Sequence, residues 1–265
     1  MGKIKYYIEK AYQTFHQQEM RVLPGNIAFF FVLALIPMLT VVAVVASYFH
    51  ISVDMIVEFI QGFMPSEVSG MIVEVVSGKG FDASVGTFSL IALFSASNGT
   101  YAIINASNTM YQVEKSDVLK DRLKFIFFLF ILLLLIIFLI LVPMFGEKIL
   151  LLFGNGMIAQ QMRNIYHLLN WPLTIFLIYV NLKLIYTIAP SISIPSRTTT
   201  YGALFTTIIW TIATAVFSYY LNHFANYNVI YGNLSSIIIL MMWLYIISYV
   251  FVMGMAINAT NSVEK

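Results

Sequence analysis

The sequence contains no cysteine, which excludes disulfides, thiolate metal sites and cysteine nucleophiles and leaves the redox compartment unreadable. Charge is scarce as well. Asp, Glu, Lys and Arg make up 10% of the 265 residues, where soluble domains carry about 25%. The net charge of +2 argues against a broad basic surface for nucleic acid. No G-x-S-x-G, H-E-x-x-H or P-loop pattern is present. No linker, low-complexity segment or clear internal repeat divides the chain, so residues 1–265 read as a single domain. What remains is apolar. Hydrophobic residues make up 60% of the chain and the mean hydropathy is +0.87. That balance points to an integral membrane protein.

The gaps between charges locate the spans. No charged residue occurs from Val22 to Val53, Ala83 to Val113, Phe125 to Gly146, Asn164 to Leu182 or Thr198 to Val263. The last gap holds two helices, divided by the polar stretch NHFANYNVIYGN at 222–233. A bilayer core takes about 20 apolar residues per helix. The expected fold is therefore all-α and polytopic, with six transmembrane helices near 26–48, 85–109, 124–145, 166–188, 201–221 and 235–258. A soluble helix would carry a charged face, and these segments do not.

Lys and Arg set the orientation. With the N-terminus inside, eleven of the 14 basic residues fall on the inner side, and only Lys79, Lys148 and Arg163 fall outside. Both termini are expected in the cytoplasm. The first apolar segment is too long for a signal peptide and reads as a retained helix.

Short amphipathic helices are expected between the spans. Ile4, Ile8, Ala11 and Phe15 share one face of a helix over about 3–20. It suits either the inner membrane surface or the end of the bundle. Segment 50–84 carries a net charge of −4 and has Val68, Met71, Ile72, Val75 and Val76 at helical spacing. It reads as two short outer helices, either a solvated acidic face or a cation-attracting vestibule. Residues 147–163 form a further amphipathic piece.

The stretch FSASNGTYAIINASN at 94–108 places amides inside a span. Ser95, Asn98, Ala102, Asn105 and Thr109 advance by three and four residues and form one stripe, bordered by Asn108. Amides facing lipid would be unsatisfied. The stripe therefore faces either neighbouring helices or a cavity for a polar head group or solute. Asn181 joins it as a candidate cavity residue. Lys183 is a candidate head-group contact or a snorkelling side chain. Arg197 is a candidate head-group contact or a topology-setting charge. Pro37 is expected to kink the first span. Thr206, Thr207, Thr211 and Thr214 supply hydroxyls that can bond back to their own helix.

The C-terminal third adds a resemblance. The runs IYTIAPSISIPSR at 185–197, YGALFTTIIW at 201–210 and FSYYLNHFANYNVIYGNLSSIIILMMWLYIISYVFVMGMAINA at 217–259 carry it. With Tyr186, Pro190, Pro195, Gly202, Ala203, Tyr227, Tyr231, Gly232 and Trp243 in place, the chain resembles the YihY/BrkB family of six-helix membrane proteins. Asn108 and Tyr111 match the family's polar exit from its second helix. The resemblance implies an inner-membrane bundle. Relatives have been linked to nuclease activity, to serum resistance and to export of lipids or small molecules. The family commonly closes its sixth helix with Gly-Ala-Glu. Here Gly254, Met255 and Ala256 stand there, which removes that acid as a proton or cation carrier.

His16, His50, His167 and His223 lie far apart in sequence, and only His50 and Asp54 could share a face. They give no metal site, and nuclease chemistry usually needs clustered ligands. The expected protein is no enzyme and needs no cofactor. It meets membrane lipids and no nucleic acid. Two functions stay open: a transporter or exporter of an amphiphilic, lipid-like substrate, and a non-transporting scaffold that maintains the envelope.

Overall fold

The computed structural model describes residues 19–48, 69, 85–113, 127–128, 131, 134–135, 157–224, 227 and 231–263. Within them the chain is all-helical. Five long helices are described: α1 (Glu19–Tyr48), α2 (Val85–Met110), α3 (Met157–Ile188), α4 (Thr200–Phe224) and α5 (Ser235–Val263), with a 3-10 turn at Gly232–Leu234 leading into α5. The expected interfacial helix at 3–20 lies outside the described residues except for its last two positions. In segment 50–84 only Ser69 is described, as a buried helical residue. In the expected third span, residues 127, 128, 131, 134 and 135 are described and all are helical.

The helices run past the limits that charge set for the spans. Helix α1 is already helical at Glu19, ahead of the expected start near 26, and passes Pro37 without ending. Helix α3 is already helical at Met157, ahead of the expected start near 166, so the outer piece expected at 147–163 merges, from Met157 on, into the following helix. The physical reason is simple. Charge marks where hydrocarbon ends, but Gln160, Gln161 and Arg163 are sound helix formers and continue the helix. Pro172 is also carried inside α3.

Helix α5 is the hub. It packs on α1, α2 and α4, while α1 also packs on α2, and α3 on α4. Of its apolar span, 56% is buried, against 28% for α3 and 22% for α4, which identifies α5 as the central helix. The core joins Met20, Leu23 and Ile27 of α1, Ala102, Ile103 and Ala106 of α2, Leu182 and Tyr186 of α3, Ala203 of α4, and Phe251, Val252 and Met255 of α5.

The outer faces remain apolar. On α4, Tyr201, Leu204, Ile208, Ile212, Val216 and Tyr219 are all exposed and recur every three or four residues. The tyrosines at its ends stand about 27 Å apart along the helix, close to the thickness of a bilayer core of about 30 Å. Among the described residues, three stretches are long and apolar enough to cross a membrane: Trp171–Ile188, Thr200–Phe224 and Ser235–Thr260.

Two local devices end helices near the candidate site. Helix α2 stops in a Schellman arrangement. Val113 N–H donates to Asn108 O at 2.9 Å and Gln112 N–H to Thr109 O at 3.1 Å, with Gln112 in the left-handed region at φ 53°. Helix α3 stops before Pro190, which has no N–H to continue the ladder. The connection then turns at Pro195, whose carbonyl accepts both the N–H and the hydroxyl of Thr198.

Candidate functional site

Two polar features stand out in this apolar bundle. The first is a face of α2. Asn98, Tyr101, Asn105 and Asn108 advance by three, four and three residues and share one side of the helix. Tyr101 is exposed and the three asparagines are half-buried, while Ala102, Ile103 and Ala106 are buried. The amide stripe therefore turns away from Ala102 and towards Tyr101. No hydrogen bond joins the Asn98 or Asn105 side chain to a described residue.

Two further candidates on this helix, Asn108 and Thr109, are committed to protein. Asn108 makes a two-way clamp on the connection after α3. Its Nδ2 donates to Ser191 Oγ at 2.9 Å, and its Oδ1 accepts from Ser191 N–H at 2.7 Å. Thr109 donates its hydroxyl to Asn105 O at 2.8 Å. The side chain of Ser95 lies outside the described residues, although its position falls in α2. Asn181 is buried and donates Nδ2 to Leu177 O at 2.8 Å, so its donor serves its own helix. Lys183 is half-buried on α3, and Arg197 is exposed on the connection before α4.

The second feature is a node where α3, α4 and α5 meet. Tyr186 is 1% exposed. Its hydroxyl lies 2.8 Å from Thr206 Oγ1 on α4 and donates to Phe251 O on α5 at 2.9 Å. Its ring stacks on Phe251 at 5.0 Å. One turn earlier on α5, Ile247 O accepts from Trp210 Nε1 at 2.8 Å. A carbonyl has two lone pairs, so both α5 carbonyls can also keep their helical bonds.

Beneath the node α4 and α5 cross at two glycines. A Cβ on Gly202 would collide with Gly254 O and the Asn258 amide, and a Cβ on Gly254 with Thr206 Oγ1 and Tyr186 OH. Asn258, fully buried, reaches across from α5. Its Oδ1 accepts the Gly202 N–H at 2.8 Å. That N–H belongs to the first turn of α4 and has no intrahelical acceptor. Among the described residues, four buried side-chain atoms lack a hydrogen-bond partner: Tyr111 Oη, Trp243 Nε1, Ser248 Oγ and Asn258 Nδ2.

The threonines of α4 divide. Thr207 bonds Ala203 O and Thr211 bonds Thr207 O, each four residues back, as the sequence reading expects. Thr206 instead holds Tyr186. The Tyr186 node and the glycine crossing are the parts that residue-by-residue reading missed. The available signal was one small residue in each of two helices that follow one another with opposite sense, Gly202 and Gly254, with a polar residue one turn away. Among the described residues no three His, Cys, Asp or Glu side chains come together.

Comparison with known sequences places this arrangement in a lineage. The profile of the family described as Virulence factor BrkB matches residues 11–265. The ribonuclease-like protein YfkH of Bacillus subtilis is 28% identical, over 96% of this chain and 94% of its own length. A UPF0761 membrane protein of Coxiella burnetii is 24% identical over 93% of this chain and 90% of its own. Another, from Aliivibrio salmonicida, is 27% identical over 97% of this chain and 86% of its own. No solved structure matches significantly. With the profile covering nearly its whole length, the chain is a membrane protein of the BrkB family.

Proposed function

We propose that this protein crosses the bacterial plasma membrane six times with both termini in the cytoplasm, and moves an amphiphilic, lipid-like substrate. The observation that carries the reading is the face of α2. Asn98 and Asn105 are half-buried beside exposed Tyr101, and neither amide is bonded to a described residue. Amides at membrane depth need a polar partner. A head group passing along this face supplies one, and the tyrosine ring offers an apolar contact beside it. Arg197, and Lys183 by snorkelling, are suited to anionic head groups at the inner surface. The distribution of Lys and Arg supports the orientation.

The reading assigns no catalytic step, no cofactor and no nucleic-acid partner. The term ribonuclease-like describes YfkH, and the four histidines of this chain are scattered in sequence. A second reading, a non-transporting scaffold, is favoured by the polar groups spent on packing. Asn108, Thr109 and Asn181 are all bonded within the protein.

Native mass spectrometry separates the two readings. The wild type, released from bilayer discs, is expected to retain a defined lipid or amphiphile. A folded Asn98→Ala/Asn105→Ala variant is expected to lose it. Equal retention by both forms, or none by either, favours the scaffold.

A further inference from the structure

The seam between α4 and α5 is built to part. At its glycine crossing the two backbones touch with no side chain between them. Four side-chain contacts close it: Tyr186 OH with Thr206 Oγ1, Tyr186 OH to Phe251 O, Asn258 Oδ1 with Gly202 N–H and, about two turns further along α4, Trp210 Nε1 to Ile247 O. Tyr186 belongs to α3, so a single hydroxyl ties three helices.

At the Thr206 and Gly202 contacts a substitute is at hand. Thr187, Thr207 and Thr211 already bond the carbonyl four residues back on their own helices. Thr206 has Gly202 O in the same relation, so its hydroxyl keeps a partner when Tyr186 leaves. The Gly202 N–H lies in the first turn of α4, where water reaches an opened end. Asn258 is fully buried with one half of its amide bonded and Nδ2 unpartnered. Closure therefore leaves a donor unsatisfied that opening would hydrate. Trp243 Nε1 and Ser248 Oγ are also buried without partners on the same helix. Three buried side-chain atoms of the central helix are thus without a bond among the described residues.

We propose that Tyr186, Thr206, Gly202, Gly254 and Asn258 form a latch that is closed in this structure, and that the first turns of α4 swing away from α5 when it opens. The opening lies beside the connection carrying Arg197. The assignment of the latch as a gate for an amphiphile rests on the transport reading above; the opening itself does not.

The absence of cysteine lets paired spin labels be placed without removing native thiols. Val22→Cys on α1 and Tyr201→Cys on α4 are both exposed and make none of the latch bonds. Electron–electron distance measurements in lipid discs are expected to show a main distance and a minor longer one. Tyr186→Phe and Asn258→Ala, each added separately, are expected to raise the longer population about fivefold or more, as the loss of one or two hydrogen bonds implies. A single distance, unchanged in the wild type and in whichever variant folds, overturns the latch. Lipid movement is read in parallel. Opening without lipid movement removes the transport reading and leaves the latch. Lipid movement with one fixed distance removes the latch and leaves transport.

Discussion

Tyr111 shows how a single atom can be tested. Its hydroxyl is buried just beyond the end of α2 with no hydrogen-bond partner among the described residues. Burial, which disfavours the charged form, pushes the phenol up from 10.0 to about 12. Below pH 10 the group is neutral in folded and unfolded chains alike. Between pH 10 and about 12 the unfolded chain ionises first, so this group's contribution to stability falls as pH rises. Tyr111→Phe is expected to leave neutral-pH stability unchanged or raised by about 1 kcal/mol, because it removes an unsatisfied hydroxyl. It should also flatten the alkaline fall. Thermal melting of both forms across pH 8–12 checks this, and parallel curves would refute it. At this scale the sequence was partly legible. It flagged the amides at 98, 105 and 108 as too polar for lipid, but periodicity could not tell that Asn108 clamps Ser191 across 83 positions. Nor could it tell that Asn181 turns back on its own helix. Those choices depend on which backbone comes near, and spacing along one helix does not carry that information.

At the scale of elements the account depends on close approach. Gly254→Ala would place a methyl group against Thr206 Oγ1 and Tyr186 OH. The helices must separate or the node must break. Overpacking of this kind costs about 1–3 kcal/mol, and the loss of buried hydrogen bonds adds to it. A lower melting temperature in detergent is expected, with a larger drop than for Gly232→Ala. Gly232 has open space around it and only a left-handed φ of 52° to lose. Equal drops would contradict the crossing. The helices themselves were legible because each is apolar and free of charge over about 20 residues. Their ends were not. Helix α3 is helical from Met157 through Gln160, Gln161 and Arg163, since a helix continues as long as its residues tolerate helical dihedrals, in lipid or out of it. The Schellman end of α2 was hidden because Gln112 occupies a position where glycine is usual.

At the scale of the molecule, α5 is the axis on which α1, α2 and α4 pack, and the exposed apolar face of α4 matches the depth of a bilayer. The membrane setting was legible from composition alone, because no soluble fold can solvate so few charges spread over so much apolar surface. Function was less so, since the same amides serve packing and passage equally well in a one-dimensional pattern. Reconstituted lipid movement tests the central claim most directly. Vesicles with head-group-labelled phospholipid are quenched from outside, and the protected fraction is followed in time. The wild type is expected to bring inner-leaflet label to the quencher, and the folded Asn98→Ala/Asn105→Ala variant to slow that exchange about tenfold or more, as the loss of about 1.4 kcal/mol of polar contact to the moving head group implies. Equal rates in the two proteins, or a wild type no faster than protein-free vesicles, would contradict the account.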